Sequence, residues 1–308
     1  MTEQKSKQVQ DPAETLDLSG GEPAPAGESY LASIWRRFKR HKLGMVSLGL
    51  FLLLVVLAIL APVISPYDPN AIVGGFGQPP SKEFLLGTDL SGRDVLSRLL
   101  HASRISLLAG VLVTLLSTSV GVSLGLISGF FGSVVDSIIM RFTDMVMSFP
   151  YMLLVLMFAA IFEPGLWSII LILGFVNWPG VARLVRGNVL SLRETPFIKR
   201  TQVQGLPGRI ILFGEILPNT IAPILVHATS VMAFAILDEA ALSFLAMGVQ
   251  PPTASLGNML GDAKSLTILT DKPWLWLPSG LVIVILVMAI NFIGDALRDA
   301  VDPTTSRS

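Results

Sequence analysis

The chain has no cysteine, which excludes disulfides and thiolate metal sites. Charge is scarce as well. Asp, Glu, Lys and Arg make up 14% of the 308 residues, against roughly 25% in a soluble domain. Lys+Arg and Asp+Glu stand at 22 each, so no net charge argues for nucleic acid as a partner. There is no His-Glu-x-x-His for a catalytic metal and no cysteine nucleophile, so the reading is of a non-enzyme with no metal site. Also missing is Gly-x-x-x-x-Gly-Lys-Ser/Thr, the loop that cradles nucleotide phosphates, so any energy from ATP must come through a partner.

The chain does have long uncharged apolar runs. Hydrophobic residues form 52% of it, and the mean hydropathy is +0.67. Crossing a bilayer takes about 17–25 residues. Six runs qualify: Leu43–Ala61, Ile105–Ile127, Met145–Phe162, Leu166–Ala182, Ile216–Leu237 and Trp274–Ile293. None contains Asp, Glu, Lys or Arg. The expected fold is an all-α membrane protein with six transmembrane helices, because a helix satisfies its own backbone in lipid. The first run starts too late, is too long, and lacks a small-residue cleavage site before Pro62, so it does not read as a removable signal.

Cations set the expected orientation. With the N-terminus inside, the inner segments hold sixteen of the 22 Lys and Arg, including the cluster Arg36–Lys42 that abuts the first run. The positive-inside rule then places both termini in the cytoplasm. Residues 1–29, rich in Glu, Gln, Pro, Gly and Ser, read as a disordered cytoplasmic tail. Residues 30–42 read as a basic interfacial helix or, equally, as a plain positive anchor. Residues 43–65 form the first transmembrane helix, 66–104 an extracytoplasmic segment, 105–303 a core with five further spans, and 304–308 a short tail. Within the outer segment, Tyr67–Pro80 is too turn-rich for a long regular element, and Gly87 and Gly92 suit tight turns. Val95, Leu96, Leu99 and Leu100 then mark an amphipathic helix leading into the second run. This segment is either a docking surface for an external partner or a seal over the outer end.

Between the fourth and fifth runs lies a basic insert, Arg183 to Asn219. The pattern predicts a helix over Arg193–Gln204, a break at Gly205-Leu206-Pro207-Gly208, and a second helix from Arg209. A docking knob explains it better than a solvated loop, since structureless loops beyond about 15 residues are uncommon without a role. Among polar residues near membrane depth, Asn177, His227 and Glu239 are candidates for a path or gate. For Glu239 a helix-end position in the interface is the favoured competing reading, and for His227 a hydrogen bond between helices. Gly110, Gly121, Gly125 and Gly129 allow helices to approach closely.

Five ordered segments carry a family resemblance: LLGTDLSGRDVLSRLLHASRISL, GFFGSVVDSIIMRFTD, NWPGVARLVRGNVLSLRE, LSFLAMGVQPPTASLG and GDALRDAVDP. To these is added Gly205, followed after nine residues by Glu215-Ile216-Leu217-Pro218-Asn219. The chain resembles the permease subunits of binding-protein-dependent ABC importers, specifically the dipeptide/oligopeptide type in its C-type branch. The likeness runs roughly from Leu43 to Pro303. It implies a type I importer permease in the cytoplasmic (inner) membrane of a prokaryote. It also implies a homologous second permease, two ATP-binding subunits that grip the insert, and an extracytoplasmic solute-binding protein. ATP and Mg would sit on those partners, and this chain would bind no cofactor. Peptide uptake is the implied function, although nickel-chelate and glutathione importers share the motifs.

The implied ATPase-coupling loop is 183–215, with Arg193, Glu194, Phe197, Lys199, Arg200, Thr201, Gly205 and Glu215, followed by Leu217 and Pro218. Here the chain departs from its family. Lys199-Arg200-Thr201 stands where Glu-Ala-Ala is expected, Glu215 where a His is, Ala246 where a Gly is, and Leu256 where a Trp is. The reversed charge at 199 leaves three readings: a compensating ATPase surface, Glu194 acting in its place, or weak coupling. Two other classes make different demands on the sequence. A gradient-driven transporter should show ionisable residues within spans and an inverted repeat. A membrane scaffold would have no need of the ordered motifs.

Overall fold

The computed structural model describes residues 30–301, and these form helices and connecting segments with no β-strand among them. The tails read at 1–29 and 304–308 lie outside the described residues. In chain order the helices are α1 (Tyr30–Arg40), α2 (Lys42–Ile64), α3 (Val95–Phe131), α4 (Ser133–Met147), α5 (Tyr151–Ile161), α6 (Leu166–Arg193) and α7 (Pro196–Val203). They continue with α8 (Gly208–Phe244), α9 (Leu256–Leu260), α10 (Leu266–Asp271) and α11 (Leu277–Val301). Five of these, α2, α3, α6, α8 and α11, are each long and apolar enough to cross a membrane. A sixth crossing exists only if α4 and α5 are taken together, and those two are bent by 84° at their junction.

The bend corrects the third span. Met145–Phe162 is not one helix. It breaks at Ser148-Phe149-Pro150, because proline has no N–H for the ladder and biases the residue before it away from helical geometry. Three other boundaries shift for one shared reason: charge ends an apolar run without ending a helix. The helix of the second span begins at Val95 rather than Ile105, where Asp94 caps it by accepting from the Ser97 amide at 2.8 Å. That of the fourth continues through Arg183 and Arg186 to Arg193. That of the fifth begins at Gly208 rather than Ile216, through a π turn at Ile211–Ile216. The part of the insert that lies outside α6 and α8 is therefore 194–207. The last span also starts later, at Leu277.

Small residues hold the bundle together. Gly121, Gly125 and Gly129 recur every four residues on α3, facing Val181, Val185 and Val189 of α6. A Cβ at Gly125 would stand 2.6 Å from the Ala182 carbonyl oxygen and 2.8 Å from Val185 Cβ. With lipid as the competing apolar phase, such close backbone packing is a main source of helix association. Gly121-Val122-Ser123-Leu124-Gly125 also has the spacing of a hydrolase elbow, but it lies mid-helix, with Ser123 Oγ donating to the Ser119 carbonyl at 2.8 Å. On α8, Ile236 fits against Gly110 in the same close manner. At the end where α3 meets α4, Asp136 takes a bidentate pair from Arg186 at 2.5 and 2.6 Å, and Arg183 pairs with Asp144. These charges pin α4 across α6.

The opposite end is closed by 65–94 and 245–276. Gly87 and Gly92 adopt φ of +76° and +80°, and a Cβ on either would meet a backbone oxygen within 2.5 Å. Asp89 organises the turn by accepting from the Ser91 and Arg93 amides, and it pairs with Arg93 at 2.7 Å and buried Arg98 at 3.3 Å. Arg98 also donates to the Pro69 carbonyl at 3.1 Å, so one guanidinium ties this segment to α3. At the first end, α1 lays buried Ile34 and Phe38 against Ala296 and Ala300 of α11, while Trp35 stays half-exposed beneath Lys39.

Candidate functional site

Two regions carry the candidate residues. The first is the connection from α6 to α8. Pro196 starts α7, where its fixed φ suits a first helical turn and its missing N–H costs nothing. Gly205, at φ +74°, ends it. A Cβ there would meet no atom within 4 Å, so the backbone conformation alone asks for glycine. One residue fastens α7 to the bundle. Ile198 is fully buried among Val189 of α6 and Ile211, Leu212 and Ile216 of α8. Its neighbours Phe197, Lys199 and Arg200 are exposed. Thr201 turns inward and bonds the Ile198 carbonyl at 2.8 Å. The expected helix from Arg193 to Gln204 is therefore corrected: Arg193 belongs to α6 and its Nη1 donates to the Gly129 carbonyl at 2.8 Å, facing the bundle.

Lys199 and Glu194 pair at 2.8 Å on the surface. The Lys199 ammonium holds the exposed Glu194 carboxyl below the usual carboxylate range. Glu215, Leu217 and Pro218 do not join α7. They lie at the π turn and the first helical turn beyond it, with Leu217 packed into the Ile198 cluster and Pro218 exposed. Ile198 was the residue missed in sequence. Its signal was there: an apolar residue set among Lys and Arg with no lipid to face.

The second region is a cleft of about 380 Å³ where α4 breaks into α5. Phe149 and Tyr151 line it from the break, Asn177 and Gly180 from α6, and His227, Ser230 and Phe234 from α8. Asn177 and His227, singled out in sequence, thus share one cavity. Glu239 does not. It is fully buried, accepting from Ser106 Oγ at 2.6 Å and Ser243 Oγ at 2.7 Å, and it locks the end of α8 to α3. Adjacent helix positions point about 100° apart. It is therefore Asp238 that reaches the cleft edge, where Tyr151 Oη donates to it at 2.5 Å and Asn177 Nδ2 donates to that hydroxyl at 3.1 Å. Tyr151 was not a candidate from sequence, because its meeting with Asp238 depends on the break at Pro150. Among the described residues no group of three or more His, Asp or Glu is placed to hold a metal ion.

A family model described as the binding-protein-dependent transport system inner membrane component matches residues 121–307, well over half of the chain. The chain belongs to this family. A second model, the N-terminal transmembrane domain of oligopeptide transport permease C, matches residues 29–83. The permease is 40% identical over 284 residues to a Brucella suis biovar 1 chain named as a peptide permease protein, covering 92% of this chain and 94% of that one. It is 38% identical to the dipeptide transport system permease protein of Haemophilus influenzae, covering 90% and 96%. A di/tripeptide transport system permease protein of Pseudomonas aeruginosa is also 38% identical, over 92% and 95%. Among solved structures, an inward-facing methionine ABC transporter superposes with a TM-score of 0.55 at 19% identity, covering 67% of this chain and 96% of its counterpart. The permease therefore has an ABC importer permease fold and is an inner membrane component, with a part in transport rather than catalysis.

Proposed function

We propose that this permease forms, together with a homologous second permease, the path for peptide uptake. Two ATP-binding subunits drive it, and an extracytoplasmic binding protein delivers the substrate. In this reading α7 and both termini face the cytoplasm, in agreement with the excess of cations on that side. The peptide substrate rests on the relatives named as peptide and dipeptide permeases.

The observation that carries the reading is the seating of Ile198. One ATP-binding subunit grips the exposed side of α7, and the buried side transmits the movement to α6 and α8 together. Those two helices line the cleft. Each has a soft point on this route: the π turn at Ile211–Ile216 of α8 lies between α7 and the cleft, and Pro179 of α6 lies in the cleft wall itself. Nucleotide-driven closure is then converted into a change of cleft shape by two rigid levers, as in other hinge transitions. Glu194 and Lys199 offset one another as an ion pair, and exposed Arg200 and Arg209 leave the loop net cationic. The complementary surface on the ATP-binding subunit is acidic. Purification of the chain with its native partners and reconstitution in vesicles test this. ATP-dependent peptide uptake by an assembly of two permeases and two ATP-binding subunits is expected, and an assembly that hydrolyses ATP without moving peptide would defeat the reading.

A further inference from the structure

The cleft at the α4–α5 break has at its edge a carboxylate with no cation beside it. Asp238 accepts from Tyr151, and among the described residues no other hydrogen bond and no ion pair reaches it. The cleft lining has no Lys or Arg. Its polar groups are Tyr151, Asn177, His227 and Ser230, and the other walls are apolar, among them Met147, Phe149 and Phe234. Three other carboxylates on α4 and α8 are compensated. Asp136 and Asp144 face Arg186 and Arg183, and Glu239 is sealed by serine hydroxyls. A charge within a span is costly and is retained where it meets a partner or a water-filled path.

The surroundings define the missing partner. A Ca²⁺ ion takes about six to eight oxygen ligands, and one carboxylate with a hydroxyl and an amide falls short. A volume of about 380 Å³ also far exceeds an ion. An ammonium group carried on an organic molecule fits better. Its N–H groups donate to the free lone pairs of Asp238, a following amide reaches Asn177, and Phe149 and Phe234 receive an apolar side chain. We propose that Asp238, oriented by Tyr151 and Asn177, is a transit subsite for the protonated amino terminus of the transported peptide. This rests on the peptide-import reading and adds to it a recognition step inside the permease, separate from that of the binding protein.

The test uses the assembly purified with its native partners, held in nanodiscs without binding protein. Saturation-transfer NMR reads the binding of trialanine and of N-acetyl-trialanine. The unmodified assembly is expected to bind trialanine about ten-fold more tightly, the worth of one hydrogen-bonded charge. Asp238→Asn keeps the Tyr151 contact and removes the charge, so the two probes should then bind alike. A second measurement needs no variant: propylammonium chloride should displace trialanine from the unmodified assembly and 1-propanol should not. Retained preference in Asp238→Asn, or equal competition by the two small probes, overturns the subsite. Failure of the unmodified assembly to import trialanine with its binding protein would instead remove the peptide reading, while the ammonium competition would still report on Asp238.

Discussion

Ala246 is where this chain's departure from its family has a visible physical consequence. It sits just past α8 at φ +60°, a left-handed conformation that costs an L-residue about 1–2 kcal/mol. Ala246→Gly removes the Cβ and is expected to stabilise the permease by about 1 kcal/mol after the entropy of glycine is set against it. The thermal midpoint in detergent should rise, and an unchanged or lower midpoint would contradict the strain. Lys199 is a different kind of departure, fully on the surface. Lys199→Glu sets two carboxylates side by side on the solvent face, so folding should be unaffected. Recovery of the ATP-binding subunits in a pull-down should fall roughly several-fold, since rim charges govern encounter with a complementary surface. Equal recovery would show that charge at 199 plays no part in docking. Both departures were legible from the sequence. What was not legible was that Glu194 is already engaged, because the turn at Thr195 and Pro196 brings it back to Lys199.

At the scale of elements, the sequence revealed which segments are apolar but not where helices stop. Hydropathy reports the solvent around a helix, and backbone hydrogen bonding continues past the membrane surface, as α6 does to Arg193. The opposite error occurred at Met145–Phe162, where uniform apolarity hid the break that Pro150 imposes. The glycine stripe of α3 was readable as a packing surface, and the structure supplies its partner, α6. Gly125→Leu should lower stability by at least about 1–3 kcal/mol through overpacking, read as loss of monodisperse protein or of thermal midpoint. Gly49, with nothing within 4 Å of its Cβ position, is the control: Gly49→Ala should lower neither, and a comparable loss there would show that glycine content rather than α3–α6 contact matters. Ile198 tests α7 as an element. Ile198→Ala removes its seat at a cost of about 2–5 kcal/mol for a buried aliphatic. Because α7 is a peripheral helix, the expected result is an intact assembly whose ATP hydrolysis no longer drives uptake; normal coupled uptake would mean that the lever does not act through Ile198.

At the scale of the whole molecule, the all-helical membrane class and the family were legible in composition and ordered motifs. The cleft was not, because it is built from four helices, α4, α5, α6 and α8, and exists only once α5 turns away from α4. Asn177 and His227 were found as polar residues at depth, yet the same reasoning chose Glu239 over Asp238. Position along a helix can be read from sequence, but the face a residue presents depends on packing. The central claim is that α7 is the grip through which ATP-binding subunits move α6 and α8. The lack of native cysteine makes a direct measurement simple. Val203, at the end of α7 and 88% exposed, can be replaced as Val203→Cys, which gives this chain a single thiol to label with a maleimide photocross-linker in an assembly whose partner subunits are made cysteine-free. The account predicts that irradiation joins this permease to an ATP-binding subunit. An intact assembly in which Val203→Cys cross-links only to lipid, to the second permease or to the extracytoplasmic binding protein would contradict it.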